Sequence, residues 1–171
     1  MAGQRPGDAD RDARKRAAGE VSVPSGSGEA AAGLAVTDRG RPRTSRALLR
    51  RVVQATLEYA GRQTLPVSLL LTDDAEIARI HGEFLDDPTP TDVISFDLDG
   101  TAEIVISTET AARMADLHGH SCADEVALYV VHGLLHLCGY DDIDAEDRQR
   151  MRQAEREVLV ALGIEVADAD S

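Results

Sequence analysis

The stretch from Val126 to Asp142, VALYVVHGLLHLCGYDD, joins the most apolar run of the chain to its densest group of potential metal ligands. Its apolar residues fall on nearly every side of a helix, which predicts a helix in the middle of a domain. Ser121, followed three residues later by Asp124, predicts the N-cap of this helix. Gly139, directly after the last apolar turn, predicts an exit through the left-handed backbone conformation.

His132 and His136 lie four residues apart, a spacing that places both imidazoles on one face of a helix, close enough to share a cation. The turn at Gly139 can carry Asp142 back towards them. His132, His136 and Asp142 are therefore the predicted metal ligands, with Asp141 as the alternative third ligand. Three protein ligands leave a fourth position open for water, as in catalytic rather than structural zinc sites.

The spacing H-x-x-x-H-x-x-G-x-x-D is that of the metzincin proteases, with one difference. In those enzymes the residue after the first histidine is a glutamate that acts as the general base, and in this chain it is Gly133. The spacing therefore favours a metal site, and the glycine disfavours a metalloprotease.

Three motifs of this chain resemble those of the YbeY family. The segment HGLLHLCGYDD resembles the family signature HGxLHLxGYDH. PTDVISF, from Pro90 to Phe96, and AEIVIST, from Ala102 to Thr108, resemble two strands that precede that signature in the family. The motifs occur in the order and with the separations of the family, and the resemblance extends from near Arg46 to near Glu157.

The resemblance implies a single-strand-specific, metal-dependent endoribonuclease that acts in late ribosome maturation and in processing the 3′ end of 16S rRNA. It implies one Zn²⁺ per chain, whose bound water attacks the RNA, with single-stranded rRNA and the small ribosomal subunit as partners. Two other interpretations stay open. One is a non-catalytic ribosome-assembly factor with a structural metal, and the other, less favoured, is a metalloprotease.

Two positions depart from the family pattern. The third ligand of the family is usually histidine, and here it is Asp142. A carboxylate is an accepted zinc ligand, but it makes harder cations such as manganese more competitive. The family also carries an arginine that is thought to contact substrate, and its position here is Leu85. The substrate-binding residues therefore stay open.

The composition limits how this chain can contact RNA. It has 31 acidic and 18 basic residues, a formal net charge of −13, so any contact with RNA has to be local or to be made within a larger assembly. The most basic patch is Arg46, Arg50 and Arg51. Cys122 and Cys138 stand too far apart on a straight helix to form a disulfide and are expected to be buried thiols. No apolar segment has the length of a signal or membrane span, so we expect a cytoplasmic protein.

The chain of 171 residues fits one domain. Residues 1–30 are predicted to be a disordered tail, residues 31–165 a single metal-dependent hydrolase domain, and residues 166–171 a C-terminal tail. Within the domain the sequence predicts four strands, including a hairpin that turns at Asp99 and Gly100, and about five helices. The predicted class is α+β, with a mixed four-stranded sheet, a central buried helix and a zincin-like metal site.

Overall fold

The computed structural model describes residues 33–86 and 91–167, which contain four strands and five helices. The strands are β1 (Leu34–Asp38), β2 (Val67–Thr72), β3 (Val93–Leu98) and β4 (Thr101–Ser107). The helices are α1 (Arg46–Tyr59), α2 (Asp74–Leu85), α3 (Thr108–His118), α4 (Cys122–Leu137) and α5 (Ala145–Ala161). The predicted α+β class is confirmed.

The four strands form one mixed sheet in the order β1-β2-β4-β3. β1, β2 and β4 are parallel, and β3 pairs with β4 in the antiparallel sense. The β3–β4 hairpin turns at Asp99 and Gly100, whose φ angles are 51° and 85°. Two left-handed residues make a turn whose twist matches that of the flanking strands, so this hairpin forms as predicted.

The two faces of the sheet bury different cores. Because successive side chains of a strand point to opposite faces, Leu69 and Leu71 join the large core, whereas Leu70 joins a smaller one. The smaller core lies between the sheet and α2, which contributes Ile77 and Ile80. The large core lies on the opposite face and holds α4, which contacts α1, α3, α5, β3 and β4. α4 is therefore the central buried helix that its apolar sequence predicts.

The two ends of α4 are those that its sequence predicts. Oγ of Ser121 accepts a hydrogen bond from the backbone N–H of Asp124 at 3.1 Å, which caps the first turn. The helix ends at Leu137, and Gly139 leaves it with a φ of 103°. This reversal turns the chain back along the helix and sets the position of the residues that follow.

One prediction made from the sequence concerns residues outside the described chain, and another, the burial of the two cysteines, is wrong. The predicted tail at residues 1–30 lies outside the described chain. Cys122 and Cys138 are free thiols as expected, but each is half-buried rather than buried. They stand at the two ends of α4, where the core gives way to solvent. Across residues 33–86 and 91–167, no helix combines the length and the apolar character needed to cross a membrane.

Asp74, in the first turn of α2, ties this helix to α3. Its carboxylate accepts hydrogen bonds from Oγ of Ser107 at 2.5 Å, Oγ1 of Thr110 at 2.7 Å and Nη1 of Arg113 at 2.8 Å. Burial acts to raise the pKa of Asp74, but these hydrogen bonds outweigh it and lower the pKa from 3.8 to about 2. The ionised carboxylate therefore stabilises the folded state.

We expect Asp74→Asn to lower the free energy of unfolding at pH 7 by about 1–2 kcal/mol, because an amide replaces a charged acceptor of three hydrogen bonds. The folded pKa is below the unfolded one, so the contribution is complete above about pH 4 and disappears as the pH falls through about 2. Urea titrations between pH 2 and 7 measure it, with the exposed Asp116→Asn as control. A destabilisation that does not change with pH would contradict this account.

Candidate metal centre

One face of α4 is polar although the rest of the helix is apolar. Four polar residues lie along one side of the helix because they are spaced by four, three and four positions. They are Glu125, Tyr129, His132 and His136. Such a line of polar groups in the middle of a domain requires partners from the neighbouring elements.

The two imidazoles and Asp142 converge at the C-terminal end of this face. Nε2 of His132 lies 3.1 Å from Nε2 of His136, which lies 3.5 Å from Oδ2 of Asp142. One ligand atom from each residue lies within 4.8 Å of the other two. Two ligands of a tetrahedral zinc ion lie about 3.3 Å apart when each metal–ligand bond is about 2.0 Å. The three side chains therefore have the spacing that one cation requires.

The two neighbouring carboxylates of this turn have different surroundings. Oδ1 of Asp141 accepts a hydrogen bond from the backbone N–H of Asp142 at 2.8 Å, so Asp141 stabilises the turn itself. Asp142 is the carboxylate that reaches the histidines. The side chain of Asp142 is 45% exposed and that of His136 26%, so the cluster is open to solvent on one side. This geometry favours Asp142 over Asp141 as the third ligand.

Glu155 of α5 fixes the orientation of one imidazole. Its Oε1 accepts a hydrogen bond from Nδ1 of His132, and its side chain is only 14% exposed. Because a carboxylate is an acceptor, the proton of the neutral ring lies on Nδ1, and Nε2 keeps its lone pair. Nε2 is the atom that faces His136. A carboxylate behind a histidine in this way is the usual support of a metal-ligating imidazole.

Negative charge surrounds His132. Burial is the largest single influence and acts to lower the pKa of His132, but the hydrogen bond with Glu155 and the charge of Glu155 act against it. The charges of Asp142 and Asp92 add to this effect, and the pKa is raised. Asp92 belongs to the segment directly before β3. The same negative potential that favours a protonated imidazole also favours a metal cation at this place.

Gly133 faces the sheet. It is buried, and a Cβ built on it would lie 3.3 Å from Cδ1 of Ile104 and 3.5 Å from Cβ of Ser95. A glutamate at this position would therefore be directed against β3 and β4. The absence of a side chain lets the helix pack close to the sheet, and it removes the general base that the metzincin mechanism requires.

A cleft of about 960 Å³ lies beside the histidine cluster. Its lining includes the carboxylates of Asp92 and Glu155 and the guanidinium groups of Arg113, Arg152 and Arg156. The predicted ligands lie next to this cleft rather than in its lining. The cleft is comparable with the largest small-molecule pockets, and its lining combines acidic and basic side chains.

The comparison with protein families identifies the chain. Residues 37–163 match the family described as Endoribonuclease YbeY. The chain belongs to the YbeY family. Proteins of that name from Heliobacterium modesticaldum and Desulforamulus reducens are 38% and 40% identical to it over 138 and 131 residues. These alignments cover 69% and 68% of this chain and 83% and 86% of the relatives. The predicted resemblance and the predicted enzyme class, an RNA-cleaving hydrolase, are confirmed.

A solved structure shows the same fold. The solution structure of a Thermotoga maritima protein matches this chain with a TM-score of 0.56 at 23% identity, covering 75% of this chain and 91% of that one. At this identity the similarity concerns the fold, which agrees with the α+β arrangement described above.

The sequence interpretation missed Glu155, although the sequence contains a signal for it. Met151 and Val158 belong to the predicted core stripe of the last helix, and both are buried. Glu155 lies four residues after the first and three before the second, which places a carboxylate at the edge of an apolar stripe. Such a carboxylate requires a partner inside the domain. That the partner is His132 depends on how two helices pack, which local sequence does not reveal.

We expect Gly133→Val to lower the free energy of unfolding by about 1–3 kcal/mol, because the added methyl groups have to displace Ile104 or move α4 away from the sheet. Chemical denaturation of both proteins measures this. Ala47→Val, at an exposed position of α1, is the control for the helix propensity of valine. Equal effects of the two substitutions would contradict the close packing of helix and sheet at Gly133.

Proposed function

We propose that this chain is a metal-dependent endoribonuclease that cuts single-stranded rRNA during late ribosome maturation, at the 3′ end of 16S rRNA, with His132, His136 and Asp142 as ligands of one zinc ion. The observation that carries the proposal is the convergence of two Nε2 atoms and one carboxylate at the spacing of zinc ligands. Membership of the YbeY family supports the RNA substrate.

The residues of the cluster suit a divalent cation chemically as well as geometrically. Imidazole nitrogen and carboxylate oxygen are both ordinary ligands of zinc, and three such groups leave one position free. A cation held there supplies a Lewis acid that acidifies water and polarises a phosphoryl oxygen. The carboxylate of Asp142 in place of the usual imidazole makes manganese a stronger competitor for the site.

Two acidic residues prepare His132 for this role. Glu155 holds the proton on Nδ1 and thereby presents the lone pair of Nε2 to the cation. Asp92 adds negative charge near the same ring, and it also lines the cleft. Since Gly133 has no side chain, Asp142 is a proposed ligand and Glu155 supports His132, Asp92 is the candidate among the carboxylates near His132 for accepting a proton during cleavage.

Arginines of the cleft are the candidates for binding the RNA backbone. Leu85, the last residue of α2, occupies the position of the family arginine and has no charge. Arg113 on α3 and Arg152 and Arg156 on α5 line the cleft beside the histidine cluster. Guanidinium groups bind phosphate through paired hydrogen bonds, so this local basic group can act within an acidic chain.

The proposed rRNA substrate also bears on the extent of the catalytic domain, its partner and its location in the cell. We infer that the catalytic domain spans residues 31–165, that it acts on the small ribosomal subunit, and that it works in the cytoplasm. The family match at residues 37–163 supports the extent of the domain. Family membership favours neither a purely structural assembly factor nor a metalloprotease. Gly133, directed against the sheet, further disfavours the metalloprotease.

Replacing both His132 and His136 with alanine should remove metal binding at the cluster and reduce RNA cleavage by about 10³-fold or more, because several kcal/mol of transition-state stabilisation depend on the cation. Single-stranded RNA with a fluorescent label measures cleavage. His81→Ala, which alters a histidine on α2 outside the cluster, should cleave normally. Undiminished cleavage by the double variant would rule out this site as the catalytic centre.

Glu155→Gln should weaken metal affinity about 10- to 100-fold while the fold stays intact, because the amide carries no charge to support Nδ1 of His132. Competition with a fluorescent chelator measures the affinity, and circular dichroism checks the fold. Glu146→Gln, on the exposed side of the same helix, is the control. If both variants bind metal equally well, Glu155 has no part in supporting the ligand.

Replacing Arg152 and Arg156 with alanine should raise KM for single-stranded RNA about tenfold and make binding less dependent on salt, because two phosphate contacts are lost. The matched control replaces Arg46 and Arg50 on the exposed face of α1, outside the cleft. Measurements of KM from 50 to 200 mM salt compare the pairs. A larger effect of the α1 pair would place the RNA on that helix instead.

A further inference from the structure

A second group of potential ligands lies at the other end of the polar face of α4. His118 ends α3, His120 lies in the loop that follows, and Glu125 belongs to the first turn of α4. One ligand atom from each of the three residues lies within 4.8 Å of the other two. His118 and Glu125 also line the cleft beside the first cluster. The three residues therefore meet at one place beside the cleft.

Glu125 is the centre of this group. Its side chain is 2% exposed, and its Oε2 contacts Nε2 of His120 and lies 3.8 Å from Nδ1 of His118. Burial raises the pKa of Tyr129, one turn farther along α4, and the charge of Glu125 and a hydrogen bond between the two side chains raise it further. A carboxylate so deeply buried requires compensating positive charge. Imidazoles supply that charge only when they are protonated, whereas a divalent cation supplies it with both rings neutral.

His120 has an unused ring nitrogen. Its side chain is only 8% exposed, and Nδ1 is buried without a hydrogen-bond partner among the described residues. If His120 were the protonated half of an ion pair with Glu125, Nδ1–H would be a buried donor without an acceptor. In the neutral ring that donates from Nε2, the same nitrogen is a lone pair that nothing else in the described part of the chain uses.

From this arrangement we propose that His118, His120 and Glu125 form a second divalent-cation site, which takes an ion of the zinc class. Two imidazoles and one carboxylate are a ligand set that such ions accept, with a position left open towards the cleft. The assignment uses none of the residues of the first cluster, and it does not depend on the RNA-cleaving function.

The second site is separate from the first. Glu125 and His132 are seven residues apart on α4, which corresponds to about 10 Å along the helix axis. Cations that share one reacting phosphate lie about 3.5–4 Å apart. The second cation would therefore not join the first at the scissile bond. It adds positive charge to another part of the same cleft, in a chain whose net charge is −13.

Metal analysis of the full chain, purified without a polyhistidine tag and dialysed against zinc, tests this site. We expect two zinc ions per chain in the wild type and one after replacement of His132 and His136 by alanine. We expect one again after replacement of His118 and His120, and none when all four are replaced. His81→Ala, which changes the remaining histidine of the chain, should retain two. One zinc per chain in the wild type, with none after loss of His132 and His136, would overturn the second site.

A second measurement detects each bound ion separately, beginning with the wild-type chain. Cadmium-113 NMR of the wild-type chain loaded with cadmium should give two resonances, because the two ions have different surroundings. Loss of His132 and His136 should remove one resonance and leave the other in place. A single wild-type resonance that disappears in that variant would show that Glu125 and its two histidines form a buried hydrogen-bonded group and bind no metal.

Discussion

The structure depends on burying a helix that has polar side chains on one face. α4 is surrounded by three helices and two strands, so Glu125, His132 and His136 cannot all rely on water for hydrogen bonds. Each takes a partner from another part of the chain: Glu125 from His120, His132 from Glu155, and His136 from Asp142. In the proposed sites, the partnerships that make the burial tolerable are also those that orient nitrogen and oxygen atoms towards a cation. The stability of the core and the chemistry of the site thus have a common origin.

Charge explains how an acidic chain can act on RNA. The carboxylates of Asp92, Asp142 and Glu155 concentrate negative potential at the histidines, which would repel phosphate in the absence of a cation. A divalent ion would cancel two of these three negative charges, and the arginines that line the cleft supply further positive charge. In the proposed function, metal binding therefore weakens the repulsion between the acidic site and the phosphates of RNA.

The sequence predicts what depends on local geometry. The spacing of His132 and His136, the N-cap at Ser121 and the left-handed exit at Gly139 all follow from helix periodicity and backbone preference, and these features place the predicted ligands. Glu155 lies 23 residues from His132, and their contact depends on how α5 packs against α4. The half-burial of Cys122 and Cys138 likewise depends on where the core ends. The sequence already favours Asp142 over Asp141 as the third ligand, and the hydrogen bond within the turn, which no pattern of residue types contains, adds support to that prediction.

Anomalous diffraction at the zinc edge, from crystals of the zinc-loaded chain, tests the central claim most directly. We expect a peak within about 2.0–2.2 Å of Nε2 of His132, Nε2 of His136 and a carboxylate oxygen of Asp142, with no fourth protein atom in the coordination sphere. A peak that excludes Asp142, a fourth protein ligand that closes the site, or the absence of zinc between the two imidazoles would contradict the account.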